Sequence, residues 1–211
     1  MRNFRNYFEE ARNMVFKPQA ELKPAKYDDI EIFEEGWQEI QLPTPPNEEN
    51  EIDKVILAVQ QSTDQDKEEY KNCDKDASYY IKEYMDKKGL DYDMKNIEYI
   101  EEQCVPIIRH YKNYYNRPRP YQVADKMNKV LNRFNTETAT TPAYPSGHTT
   151  QPLVVAYHYG KIYPEHRDNL IEGAQICGYG RVIAGLHYPS DYEAGVLLAK
   201  RLMEFMDHEK F

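Results

Sequence analysis

Apolar positions recur at helical spacing along most of this chain. Ile52, Val55, Ile56 and Val59 fall at i, i+3, i+4 and i+7, the stripe of an amphipathic helix. Tyr80, Ile81, Tyr84 and Met85 predict a second helix, closed by Lys88-Gly89, where glycine suits a left-handed C-cap. Ile97, Ile100, Cys104, Ile107 and Ile108 form a third stripe that continues to about Tyr115. Pro106 lies inside it and predicts a kink or a break into two helices. Ala124, Met127, Val130, Leu131 and Phe134 give a fourth. A polar Thr/Ala loop over 136–142 precedes helices at 148–162 and 168–183, and a last helix is expected over 190–207. Residues 1–46 read differently. Pro18, Pro24, Pro43, Pro45 and Pro46 punctuate them, and Ile30-Glu31-Ile32-Phe33 is at most a short extended piece. The pattern therefore predicts an all-α fold: a single-domain bundle of about six to eight helices over 47–211, behind an irregular amino-terminal arm over 1–46.

Composition narrows the class. A chain of 211 residues suits one domain with a sizeable core. Mean hydropathy of -0.88 and 30 % charged residues describe a water-soluble globule. No stretch reaches the roughly 20 apolar residues needed to span a bilayer. The first ten residues meet Glu9 and Glu10 before any apolar run, so no secretory leader is read and cytoplasmic residence is the expectation. Cys73, Cys104 and Cys177 are too few to pair completely within one chain, and are expected to be reduced thiols. Trp37, in the acidic segment, is expected to anchor the arm in the core.

The net charge of -9 is spread unevenly. Residues 28–54 carry ten acidic side chains against Lys54 alone, whereas residues 105–133 carry seven basic ones against Asp125. An acidic chain is a poor binder of nucleic-acid polymers, so no such partner is expected. A basic island within it fits a pocket for a small anion, and equally a solvated helix face unless other features converge there. Self-association into a homo-oligomer is left open by composition.

Three blocks carry chemistry. In the first, Lys112 to Pro120, Pro118 should stop the preceding helix and leave Lys112 on its last turn. Arg119 precedes Pro120 and is therefore held extended, a fixed guanidinium fork suited to a tetrahedral oxyanion. In the second, Pro145-Ser146-Gly147-His148, a helix start presents free N–H groups and a positive dipole end to an anion, and His148 beside that anion is placed to hold a proton at neutral pH. In the third, Ser190 and Glu193 have capping-box spacing, Arg181 closes the previous helix, and a turn can bring Asp191 to the His187 ring. A structural Arg-Pro turn, an ordinary Ser cap and a buried His–Asp hydrogen bond are the plain readings of the three blocks taken singly. Metal ligation by His187 and Asp191 is the poorer reading, because nearby cations oppose a bound cation.

Together the blocks resemble the type-2 phosphatidic acid phosphatase and vanadium haloperoxidase superfamily. Its pattern is Lys, six residues, Arg-Pro; then Pro-Ser-Gly-His; then Ser-Arg, five residues, His, three residues, Asp. Lys112 to Arg119-Pro120, Pro145 to His148, and Arg181, His187 and Asp191 fit it. Leu42-Pro43-Thr44-Pro45-Pro46 and the acidic helix after it are similar to the start of the class A bacterial nonspecific acid phosphatases. The family's Ser before the Arg is Gly180 here, which removes a hydroxyl expected to donate to phosphate.

The resemblance implies a metal-independent phosphatase acting on small phosphomonoesters. His187 would be the nucleophile that forms a phosphohistidine, Asp191 its orienting acid, and His148 the general acid. Lys112, Arg119, Ser146, Gly147 and Arg181 would bind the phosphate. No cofactor is implied, and vanadate should bind as a phosphate mimic. The same resemblance admits a vanadate-dependent haloperoxidase, usually a much longer chain, and a lipid-phosphate or pyrophosphate phosphatase, usually with membrane helices.

Overall fold

The long stripe from Ile97 to Tyr111 is the spine of the structure, a computed structural model that describes Tyr27 and residues 30–210. Pro18 and Pro24 lie outside the described residues. In chain order the helices are α1 (Ile52–Gln61), α2 (Asp64–Lys75), α3 (Tyr79–Lys88), α4 (Met94–Tyr115), α5 (Pro120–Lys126), α6 (Gly147–Ile162), α7 (Arg167–Ile183) and α8 (Pro189–Leu202). The described residues hold no strand, only an isolated antiparallel bridge between Phe33 and Met206. The fold is all-α.

Asp93 starts α4 by accepting the Lys95 N–H at 2.9 Å. Asn116, with φ of 43°, ends it in the left-handed conformation, just ahead of Pro118. The helix runs unbroken through Pro106, so the predicted break does not occur. Ile97, Ile100, Cys104, Ile107, Ile108 and Tyr111 are buried in the main core with Leu153 to Ala156 of α6. α6 is apolar nearly all round because α4, α7 and α8 enclose it. That enclosure depends on small residues. A Cβ on Gly178 of α7 would stand 2.8 Å from the Thr149 hydroxyl, and one on Gly195 of α8 would stand 2.8 Å from Thr149 Cβ.

Three sequence expectations need correcting. α2 carries almost no apolar stripe, since only Tyr70, Cys73 and Asp74 are buried, and it was invisible to periodicity. It starts at a capping box in which Thr63 and Asp66 exchange hydrogen bonds. The fourth predicted helix stops at Lys126, because Asn128 turns left-handed (φ 53°) and leaves Val130 74 % exposed. The last helix begins at Pro189 and ends at Leu202, after which the chain folds back to pair with residues 32–34.

Cys73 and Cys177 form a disulfide between α2 and α7, contrary to the reading of all three cysteines as thiols; Cys104 is free and buried. Their spacing of 104 residues gave no sequence signal of proximity. Trp37 is buried in the main core as expected. Residues 37–43 lie along α4 under tyrosine hydroxyls: Tyr111 donates to the carbonyls of Trp37 and Ile40, Tyr115 to Leu42 and Tyr144 to Pro43.

Candidate active site

The three blocks meet at one cavity of about 160 Å³, lined by Lys112, Arg119, Gly147, His148, Arg181 and His187 together with Val105, Ile108, Arg109, Gln151 and residues of the 138–141 loop. Each block enters as its local chemistry dictates. Lys112 sits in the last turn of α4, and its ammonium donates to the Pro142 carbonyl. Arg119 is extended (φ -75°, ψ 153°) immediately before α5. Its Nε donates to Thr141 O at 2.8 Å, and one terminal nitrogen donates to Leu186 O at 2.9 Å and to His187 Nε2 at 2.8 Å.

The partners fix the tautomer of each histidine. Asp191 Oδ2 can only accept, and it lies 3.1 Å from His187 Nδ1. Arg119 can only donate, so the lone pair of His187 is on Nε2. His148 Nε2 lies 3.1 Å from the Asp74 carbonyl, also a pure acceptor, so its proton is on Nε2 and Nδ1 carries the lone pair. Burial and then the Arg181 charge pull His148 down to about 3. Burial, followed by Arg119, Lys112 and Arg181, holds His187 well below the usual imidazole range. Burial thus favours the neutral form of both rings at pH 7. Burial and the Arg119 charge also lower Lys112 strongly, and burial with Arg181 lowers Arg119 to about 10. The cup is starved of negative charge.

Arg181 is anchored rather than free. It pairs with Asp74 at 2.5 Å and donates to Thr138 at 3.0 Å, while its buried Nε has no hydrogen-bond partner among the described residues. Burial works against the Asp74 charge, but Arg181, Thr136 and the Glu137 N–H outweigh it and hold its pKa at about 2.

Of the predicted phosphate-binding residues, Ser146 stands elsewhere, and so does Gly180, the departure from the family pattern. Ser146 is fully buried behind the cavity; its N–H donates to Asp191 O and its Oγ accepts from Thr149. That N–H is thus spent on the fold, and Gly147 is the member of the pair that borders the cavity. Gly180 lines a different cavity, between α2 and α7, and a Cβ there would meet nothing within 4 Å. A serine hydroxyl at this position would face away from the cup, so its loss removes no donor from it. Ser190 does not cap α8 either. Asp191 accepts from the Tyr188 N–H at 2.9 Å, and Ser190 Oγ instead donates to Glu51. Tyr114, Tyr115, Tyr121, Tyr144 and Tyr188 flank the three blocks, but none of them lines the cavity, and His110, two residues before Lys112, bonds to the Tyr27 hydroxyl outside it.

Sequence reasoning missed the layer behind the histidines. Arg117, almost wholly buried, donates to Asp191 Oδ1 at 2.6 Å, to Glu51 at 2.8 Å and to Ser190 at 2.7 Å, with its guanidinium 4.1 Å from the Tyr188 ring centre. Asp191 thus gives one oxygen to His187 and the other to Arg117. Burial opposes the Arg117 charge, yet Asp191 and Glu51 outweigh it and raise its pKa. Arg117 was legible within Arg-Pro-Arg-Pro; Glu51 and Asp74 sit in polar stretches with no spacing to mark them.

Comparison with known proteins adds to this geometry. Residues 103–203 match the family model described as the PAP2 superfamily. An acid phosphatase of Zymomonas mobilis is 28% identical over 127 residues, which is 56% of this chain and 47% of that protein. Non-specific acid phosphatases of Providencia stuartii and Salmonella typhimurium are each 33% identical, over 94 and 84 residues, covering 43% and 40% of this chain and 36% and 33% of theirs. The chain spans less than half the length of these curated relatives. A transmembrane PAP2-type phosphatidylglycerolphosphate phosphatase of Bacillus subtilis superposes with a TM-score of 0.47 at 16% identity, over 77% of this chain and 86% of its own. No helix among the described residues is long and apolar enough to cross a membrane. All three blocks fall inside the matched span, so over residues 103–203 the chain is similar to the PAP2 superfamily and to the bacterial acid phosphatases.

Proposed function

We propose that this protein is a metal-independent phosphatase that hydrolyses small phosphomonoesters through a phosphohistidine on His187. One observation carries the reading: an imidazole with Nδ1 against a buried carboxylate and its Nε2 lone pair held only by a cation of the cavity. A phosphoryl group entering the cup takes the Arg119 donor onto one of its oxygens and frees Nε2. Nε2 then attacks phosphorus as the ester P–O bond breaks, and His148 Nδ1 delivers its proton to the departing oxygen. Asp191, steadied by Arg117, balances the charge that develops on His187. Water next attacks phosphorus, gives a proton back to His148 Nδ1, and breaks the N–P bond to release inorganic phosphate. Lys112, Arg119, the free Nε of Arg181 and the Gly147 end of α6 stabilise the equatorial oxygens, the positive charge that a metal ion supplies in other phosphoryl-transfer sites. Vanadate should compete for the same cup.

The test is hydrolysis of p-nitrophenyl phosphate in excess EDTA, with rapid-quench mass spectrometry for a phosphohistidine. His187→Ala should lose at least about a thousandfold in kcat, and the adduct should vanish with it. Full turnover in that variant, or activity abolished by EDTA and restored by a divalent cation, would overturn the proposal.

A further inference from the structure

One cation of the cavity has no work in this chemistry. Val105, Ile108, Arg109 and Lys112 stand at i, i+3, i+4 and i+7 of α4, the spacing of a single helix face, and all four line the cavity. Lys112, at the inner end of that stripe, is buried. Arg109, one turn away, is exposed, and it makes no hydrogen bond or ion pair among the described residues.

Charge accounting points the same way. Arg181 is matched by Asp74, and Asp191 is matched by Arg117 while accepting a hydrogen bond from the neutral His187 ring. Among the described residues Lys112 and Arg119 have no carboxylate within ion-pair distance, so they offer two positive charges for the two negative charges of a phosphoryl dianion. Arg109 is surplus to that balance. Beside it on the same face stand the apolar side chains of Val105 and Ile108, which also line the cavity, a surface for carbon rather than for a second inner oxyanion. We propose that Arg109 selects substrates whose leaving group bears a second oxyanion, a carboxylate or a further phosphate, with the connecting carbon skeleton against Val105 and Ile108. A guanidinium fork accepts either oxyanion bidentately. This deepens the phosphatase reading and rests on it for the chemistry, while the binding preference can be measured without turnover.

Phenylphosphonate, 4-carboxyphenylphosphonate and 1,4-phenylenediphosphonate, none of which can be hydrolysed at phosphorus, are titrated by calorimetry into the wild-type protein and Arg109→Gln. The wild type should bind at least one of the two doubly charged ligands about tenfold more tightly than phenylphosphonate, and Arg109→Gln should erase that gain. Which ligand gains more tells carboxylate from phosphate. In parallel, the kcat/KM ratio of 4-carboxyphenyl phosphate to phenyl phosphate should fall in Arg109→Gln and invert in Arg109→Glu. Equal binding of all three ligands by the wild type, or a preference that survives in Arg109→Gln, overturns the proposal. Failure of the wild type to hydrolyse either ester would instead strike the phosphatase reading, and the calorimetric result would still decide the role of Arg109.

Discussion

In the proposed reaction His148 gives up a proton that its surroundings make it hold only weakly. Its proton is present below a pKa of about 3 and is lost above it, because burial and Arg181 both disfavour the charged ring. An incoming phosphoryl dianion opposes the Arg181 field and lifts that value, so substrate itself recruits the acid. The sign of the pH dependence follows. Free enzyme and free ester must carry one proton between them, and the ester loses its own near about pH 6. We expect kcat/KM to be highest in acid and to fall as pH rises above about 6, with kcat falling at higher pH because bound substrate retains the His148 proton. His148→Asn should slow phenyl phosphate far more than p-nitrophenyl phosphate, whose leaving group needs little protonation. A kcat/KM that climbs from pH 5 to pH 8 would remove His148 from this role.

At the scale of elements, the packing of α6 decides where His148 and Gly147 stand. Gly195→Ala would drive a methyl group into Thr149 Cβ and the Ser146 carbonyl, at 2.8 and 2.9 Å, next to His148. That substitution should cost about 1–3 kcal/mol and reduce activity beyond the loss of folded protein. Gly180→Ser has open space and should leave both stability and turnover near wild type, checked by chemical denaturation and steady-state kinetics. A large effect there would mean that α7 is rotated from the arrangement described. The same helices show what a sequence can reveal. α1, α3, α4, α7 and the start of α6 were legible because a buried face imposes a 3.6-residue stripe or a turn residue marks an end. α2 was not, since it buries a disulfide and an ion pair rather than a row of aliphatics. Met127 to Phe134 mimicked a helix because Met127, Leu131 and Phe134 pack as single side chains of a loop, and periodicity does not tell such contacts from a helix face. At the site, Lys112, Arg119, Gly147, His148, Arg181 and His187, which meet the cavity, had motif spacing. Those that hold them, Glu51, Asp74 and Arg117, are joined only by tertiary contact over 66 to 107 residues.

The molecule as a whole is acidic around a cationic cup, and one covalent bond ties the two parts of that cup together. Cys73 precedes Asp74, and Cys177 lies one turn before Arg181 on α7, so the disulfide spans the same pair of helices as the Asp74–Arg181 ion pair. Disulfides persist chiefly in oxidising compartments, which weighs against the cytoplasmic residence inferred from the sequence. Closing a loop of 104 residues contributes about 4–5 kcal/mol by chain entropy, so reduction, or Cys73→Ser with Cys177→Ser, should lower the melting temperature by about 10 °C. An unchanged melting temperature on reduction would show that the bond adds nothing to stability. The consequence reaches the bench. Protein made in a reducing host can contain every helix and still be slack where the Asp74 carbonyl meets His148. Two batches of one sequence would then differ in specific activity until both had been exposed to the same thiol buffer.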